Sequence, residues 1–485
     1  MKTYQDYEKA ENKLDFIVSA INEYRSSEEY KTALLADEYE RQRNPTIRDF
    51  VRYLYTGAGS RVVDFTASNN KLANNFFHRL NTQRCSYSLG NGVSFTRTER
   101  RLENGSEKTV DLTREALGGD FDNILYEAGY YALIHGVSYV RYAGGWYIFP
   151  ATQFCPLYDE YTGALRAGIR FWSLDWQRRP ATVILYTEDG YTTYRTKSGS
   201  EGLDLVEYQP LTAYEISVQE TAADGSEIIA ENNYGALPIV AVWGSKEHQS
   251  TLIGMRDKLD AYDLIQSGFA NDLQECAEIY WIVGNAMGMT DSDLAKFRDR
   301  LKLNHIAVAD TDNSSVAPYT QEIPYAARKE FLESIRASIF EDFGALDVHT
   351  ISAGQTNDHI DAAYQPLDEE ADDFEYQIIK AVRQMLALIG IDDTPQFKRN
   401  KISNQKDQTE MILSAAEWLD TETILNKLPF VTVDEVYKIM RNKDAEAVAD
   451  LPSMDELNKV LEEGNDGESP AEDAGQAAGN GGSAD

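Results

Sequence analysis

The sequence predicts an α+β chain in which helices flank a strand-rich block, and three observations carry that reading. Apolar residues recur every three or four positions before residue 80 and again beyond residue 245. Between residues 85 and 240, short runs of Val, Ile, Tyr, Phe and Trp alternate with glycine-containing turns. Asp-Gly pairs at 189–190 and 224–225 give the sharpest hairpin signals of that block.

Residues 1 to about 80 read as helical, with Phe16, Ile17, Ile21 and Tyr24 on one face and a break at Asn44-Pro45. The strand-turn-strand units follow: VSYVRYAGGWYIF, GALRAGIRFWSL, TVILYTEDGYTTYRT and AYEISVQETAADGSEIIAE. One helix interrupts them at about 119–135, where Phe121, Ile124, Leu125, Ala128 and Ala132 share a side. After Pro238-Ile239-Val240, a long helix is predicted over 246–280 on the stripe Leu252, Met255, Leu259, Tyr262, Ile265 and Phe269. A mixed segment over 279–322 holds a strand-like IYWIVG, a short helix at 291–302 begun by Thr290 or Asp291, and an apolar IAVA. A second helix over 325–343 has the apolar line Phe331, Ile335, Ile339 and Phe343. Arg328, Lys329, Glu330, Glu333, Arg336, Glu341 and Asp342 form its other face, suited to water or a charged partner.

The polar connection LDVHTISAGQTND leads to a third long helix over 367–389, with Leu367, Ala371, Phe374, Ile378, Val382, Met385 and Ile389 in helical period and Gly390 as terminator. Shorter helices are predicted at 405–418, 421–426 and 433–442, the last with Thr432 or Asp434 as cap. The final stretch, 462–485, has no Lys, Arg or aromatic residue, cannot bury enough apolar surface to order itself, and is expected to be disordered.

Of the 485 residues 42% are hydrophobic, enough for a sizeable core. No stretch approaches the roughly 18 apolar residues of a membrane span, and MKTYQDYEKAENK lacks a secretory apolar region. A soluble protein made in the cytoplasm and without a membrane partner is expected. The formal charge of −34 argues against a protein that wraps nucleic acid with Lys and Arg. It suits one that touches DNA without gripping it, because carboxylates repel phosphates; a merely solubilising surface is the plainer alternative.

The sequence has no phosphate loop of the GxxxxGK[ST] type, no GxGxxG after a strand, no HExxH and no GxSxG. Cys85, Cys155 and Cys276 are scattered and read as buried thiols, and His78, His135, His248, His305, His349 and His359 lack ligand spacing. Asp291/Asp293 and Asp310/Asp312 suit helix caps and Asx-turns better than a cation site. No enzyme, metal or cofactor is expected.

Four stretches resemble the siphophage-type portal family of tailed bacteriophages in family order. They are NNKLANNFFHRLNTQRCSYSLGNGVSF (69–95), read as an Asn-rich helix and a Tyr-x-Leu-Gly turn into a strand; YEAGYYALIHGVSYVRY with FCPLYDEYTGALRAGIRFW (126–172); ALPIVAVWGSKEHQSTLIGMRDKLDAYDLIQSGFANDLQECAEIYWIV (236–283); and GQTNDHIDAAYQPLDEEADDFEYQIIKAVRQML with FKRNKISNQKDQTEMILSAAEWLDTETILNKLPFV. The third is the most specific, carrying Pro-Ile-Val, Glu247, Ser250 and a Leu-Asp-Ala-Tyr-Asp helix. Together they cover most of residues 50–440, while the first forty residues and the acidic tail show no such pattern and 284–320 is assigned by position only.

The resemblance implies a portal-type fold with long stem helices, a small α/β clip, a mixed wing and a helical crown, assembled as a cyclic ring. By position it implies an N-terminal helical segment (1–45), wing (46–245), stem helix (246–280), clip (281–322), stem helix (323–345), tunnel loop region (346–366), long wing helix (367–400), crown (401–461) and the acidic tail (462–485). Asp347, His349, Thr350, Ser352, Gln355 and Asn357 are its candidates for the constriction of a DNA tunnel, being small or polar and free of Lys and Arg. The mixed-charge face of 325–343 is its candidate for a channel or inter-subunit surface. It further implies a homo-oligomer, as a dodecamer, in the virion at the portal vertex. Viral double-stranded DNA would pass through it, and terminase, head-completion or adaptor proteins, major capsid and scaffolding proteins would be its partners. Another head or connector protein, or an acidic β-rich hydrolase, are the competing readings.

Overall fold

The computed structural model describes residues 1–55, 60–65, 67–103, 106–172, 182–197, 203–214, 217–221, 227–231, 234–276, 280–284, 290, 292–293, 315–319, 324–348 and 357–401, with a few helical positions between 412 and 440. The chain divides into two compact units, Met1–Lys401 and Ile402–Asp485, and the architecture below is that of the first.

Capping side chains set the first helices. Thr3 closes a capping box on α1 (Tyr4–Lys9), Asn12 accepts from the Leu14 and Asp15 N–H groups at the head of α2 (Lys13–Ser26), and Ser27 accepts from Tyr30 in α3 (Glu28–Glu40). Pro45 begins the short α4 (Pro45–Arg48). The predicted helix does not run on to residue 80. A hairpin of β1 (Tyr53–Tyr55) and β2 (Arg61–Val63) intervenes, and residues 67–75 are irregular before α5 (Phe76–Leu89). The Asn-rich run is therefore not helical; its backbone N–H groups are satisfied by another helix, as described below.

Next come β3 (Val93–Ser94), the hairpin β4 (Thr98–Glu103) and β5 (Ser106–Asp111), α6 (Leu112–Leu117) and α7 (Phe121–His135). The strand block continues with β6 (Val137–Tyr142), β7 (Trp146–Pro150), β8 (Phe154–Tyr158), β9 (Leu165–Trp172), β10 (Thr182–Tyr186), β11 (Tyr191–Thr196), β12 (Leu205–Thr212), β13 (Ser217–Thr221), β14 (Glu227–Glu231) and β15 (Ile239–Trp243). Both Asp-Gly signals fall between paired strands, β10 with β11 and β13 with β14.

Two antiparallel sheets dominate, in the orders β12-β11-β10-β9-β8 and β15-β6-β7. The first packs Cys155, Leu157, Ile169, Phe171, Val183 and Leu185 against Phe16, Ile17, Ile21 and Tyr24 of α2. At β9, Gly168 lies so close to the Phe154 ring that a methyl group there would overlap it. The second sheet packs Val240 and Val242 with Leu125, Ala128 and Ala132 of α7.

The long helices are α8 (Arg256–Cys276), α9 (Tyr325–Phe343) and α10 (Asn357–Leu388), and β16 (Tyr280–Gly284) pairs with β17 (Ser315–Tyr319) between the first two. α9 has the predicted bounds. α8 begins ten residues later than predicted, because the preceding turn caps α7: the Ser250 hydroxyl donates to the Ile134 carbonyl, and the Thr251 N–H to that of Leu133 at 3.0 Å. α10 begins ten residues earlier than predicted, with Pro366 inside it. Ile360, Tyr364, Leu367 and Ala371 pack with Tyr87 and Leu346, which holds the helix through the missing proline N–H. Gly390 ends it as predicted, at φ 72°, with Ile391 N–H bonded to the Leu386 carbonyl and Gly390 N–H to that of Ala387. β18 (Gln396–Phe397) then pairs with β3.

The predicted helix at 291–302 lies largely outside the described residues. IAVA, the caps Thr432 and Asp434, and the tail at 462–485 lie wholly outside them, and the predicted helices at 405–418, 421–426 and 433–442 are described only at scattered positions.

Candidate channel and subunit-contact site

α8 and α9 run antiparallel, pinned near both ends. Lys258, at the start of α8, forms an ion pair with Asp342 at the end of α9 and donates to Ser338 Oγ at 2.6 Å. At the other end Arg328 pairs with Asp272, and the Tyr325 and Phe269 rings meet at 5.8 Å. Between them Phe76 of α5 sits edge-on to Tyr262 and Phe340, over a core that includes Leu259, Ile339 and Phe343. Toward the N-terminus of α9 the core runs out, and Tyr325 and Phe331 are exposed.

The seven residues assigned to one charged face therefore divide. Arg328 and Asp342 pair with α8, and Arg336 pairs with Asp347 at 2.8 Å. Lys329, Glu330, Glu333 and Glu341 remain exposed, with Lys329 and Glu333 at 3.7 Å. One lysine against three glutamates leaves the outward side of α9 acidic.

Of the constriction candidates, Asp347 is described with its surroundings and Asn357 is the first residue of α10, while His349, Thr350, Ser352 and Gln355 lie outside the described residues. The candidate loop is thus shorter than 346–366, since residues 357–366 are helical. Its leading end is fixed. Gln83 of α5 donates to the Leu346 carbonyl at 2.9 Å and accepts the Leu346 N–H at 3.1 Å. Arg84 donates to the Phe343 carbonyl, lies 4.2 Å over the Phe343 ring and pairs with Glu370 at 3.0 Å. Burial lowers the pKa of the Arg84 guanidinium, which Glu370 and Asp373 partly offset. Sequence reasoning missed Gln83 and Arg84, because their partners lie some 260 residues away in the chain.

A second feature missed from sequence is a polar ladder along α8. Asn271, Ser267 and Asp263 accept the backbone N–H groups of Asn70, Leu72 and Asn74 at 2.6, 2.9 and 2.7 Å. Two residues of the strap match four of the helix at each rung. One turn earlier, Asp260 accepts from the Tyr39 hydroxyl and, at 2.8 Å, from that of Thr46. A signal was present: polar residues spaced four apart on a helix opposite an Asn-rich run.

Among the described residues no group of His, Cys, Asp and Glu could hold a metal. His78 meets Glu40, His135 meets Asp37, and Asp293 accepts from Thr290 as a local cap. Cys85 and Cys155 are buried free thiols, and burial pushes the Cys155 thiol up to about 12. No described helix is long and apolar enough to cross a membrane.

An antiparallel helix pair pinned by ion pairs near both ends, with the β16–β17 ladder between its helices in the chain, stands beside a strand-rich body. The model of the family described as phage portal protein, SPP1 Gp6-like, matches residues 37–450. A portal protein of Bacillus phage SPP1 is 24% identical over 407 residues, 78% of this chain and 77% of that protein. A portal protein of Clostridium phage phiCD119 is 26% identical over 223 residues, 44% of this chain, and the match spans only 49% of the Clostridium phage protein. Among solved structures, the neck of a native GTA particle computed with C12 symmetry aligns over 73% of this chain and 89% of that one, at 10% identity and a TM-score of 0.40. The chain belongs to the SPP1 Gp6-like phage portal protein family, a family of structural rather than enzymatic proteins.

Proposed function

We propose that copies of this chain close into a ring at one capsid vertex, around a channel through which double-stranded viral DNA is packaged, retained and ejected. α8 and α9 are the stem in this reading, 281–322 the clip, 46–245 with 367–400 the wing and 401–461 the crown. The segment between α9 and α10 is the tunnel loop, with Asp347, His349, Thr350, Ser352, Gln355 and Asn357 at or beside the constriction. The observation that carries the reading is the α8–α9 pair. It is fixed by ion pairs near both ends, exposes Tyr325 and Phe331 where a neighbour would sit, and brackets an insert rooted in the β16–β17 ladder. Copies related by a cyclic axis would join by heterologous contacts that close on themselves, as a dodecamer. The acidic outer side of α9 would keep phosphate from adhering. Terminase would dock at the clip first and head-completion or adaptor proteins later, with capsid and scaffolding proteins around the body, during assembly in the host cytoplasm. The ATP-driven motor would be a separate terminase, with which the missing phosphate loop is consistent.

Electron microscopy of the purified chain tests this. Turbine-like rings with an axial hole are expected; solitary particles or flat lattices would overturn the assignment.

A further inference from the structure

We propose that the open edge of β15 is a docking site for an extended, acidic segment of a partner protein, which joins the β15-β6-β7 sheet as a fourth strand.

The hydrogen-bond phase of β15 is set at both ends. Tyr142 N–H bonds the Pro238 carbonyl at 2.9 Å, and Gly244 N–H bonds that of Gly136 at 3.3 Å. In an antiparallel ladder bonded pairs alternate, so Val240 and Val242 turn their backbone groups toward β6. Ile239, Ala241 and Trp243 turn theirs the other way. Among the described residues no strand pairs with that side.

That edge opens into a trough of about 930 Å³. Gln377, Lys380 and Gln384 of α10 line one wall, and Arg166 and Glu188 the other. From Gln377 to Leu388 the helix wall measures about 16 Å, and the five residues of β15 measure about 17 Å, so wall and edge are of similar length.

Chains that keep a sheet edge from pairing place charge or proline on it. The edge strand β12 carries Glu207 and Pro210. β15, with the sequence IVAVW, carries neither. Its edge lies in the trough, where one incoming strand can add to it by main-chain hydrogen bonds.

Charge selects the occupant. Arg166 is paired with Glu188 at 3.0 Å. Lys380 has no carboxylate partner among the described residues, and its ammonium lies 4.4 Å over the Tyr376 ring. An acidic side chain on the incoming strand would meet it. One such cation is too little for a phosphate backbone, which needs several contacts.

Linear random peptides of about a dozen residues, displayed and selected against the full-length chain, test the proposal, followed by titration of the soluble winners. Ala241→Pro removes the outward N–H and fills the edge with ring carbons, at a position where edge strands tolerate proline. Lys380→Glu reverses the charge. We expect acidic, strand-forming winners whose affinity falls about tenfold or more in both variants, with the Ile239, Ala241 and Trp243 amides gaining protection from hydrogen exchange on binding. Failure to enrich any sequence, or winners indifferent to Lys380→Glu that leave those amides unprotected, would overturn it. If Ala241→Pro does not fold, the charge reversal and the exchange readout decide. If Ala241→Pro folds but loses self-association, the edge serves a second copy of this chain, and the partner assignment is wrong.

Discussion

Asp263 accepts two hydrogen bonds from Asn74, one from its backbone N–H at 2.7 Å and one from its side-chain amide at 2.6 Å, while itself fully buried in α8. Asn44 donates a third, and the Asn44 side-chain Oδ1 is left without a partner in the same site. Burial raises the Asp263 pKa, and the Asn44 and Asn74 bonds only partly offset it. A folded-state pKa above the unfolded one gives a stabilising contribution that is complete below the unfolded value and is lost as pH rises through the folded value.

Asp263→Ala should therefore destabilise the chain at neutral pH by about 2–4 kcal/mol, because it strands buried donors. Asp263→Asn should cost much less, since an amide can accept from Asn74 and donate to Asn44. Relative to the Asn variant, the parent should gain stability as pH falls toward the ordinary carboxylate range. Thermal unfolding of the three proteins across that range checks both statements.

Asp393 has the opposite sign. Burial acts to raise its pKa, but hydrogen bonds from Thr96, Thr113 and the Thr394 and Arg97 N–H groups outweigh it and hold the carboxyl at about 2. Its contribution is present above the unfolded value of about 4 and fades as pH falls to about 2. Asp393→Asn should cost about 1.5–3 kcal/mol at pH 7, and the gap from the parent should close at the acid end. Urea unfolding at several pH values measures it.

Gly168→Ala should destabilise by about 1–3 kcal/mol through overpacking against the Phe154 ring. A second substitution, Phe154→Leu, should recover part of the loss by vacating the ring edge. A double-mutant cycle on chemical unfolding gives the coupling.

In assembled particles, Thr350→Lys or Gln355→Lys should slow DNA translocation by adding a phosphate contact while leaving ring assembly intact. Packaging rates measured with terminase would show the change if these residues face the bore; unchanged rates would remove them from it.

Where the sequence was read correctly, a local signal and the tertiary demand agreed. The stripe Phe331, Ile335, Ile339 and Phe343 gave α9 its bounds, and Gly390 stopped α10 because both the chain and the packing require a turn there. Where it was misread, a distant group decided. The third long helix is expected to begin at Leu367, yet it begins at Asn357 and runs through Pro366, with Tyr364 and Leu367 packed on Tyr87 and Leu346. The run from Asn69 to Asn75 reads as helix, yet its N–H groups belong to α8, two hundred residues on. The charged face of α9 read as one surface; its separation into inward pairs and an acidic remainder depends on where Asp272, Lys258 and Asp347 lie.

The strap on α8 behaves as a vernier. Two extended residues advance about 6.7 Å and four helical residues about 6.0 Å, and each helical step also turns about 40°. The two scales differ by about 0.7 Å per rung and stay within hydrogen-bond reach over three rungs. Axial slippage of α8 by less than a full notch would open all three rungs together.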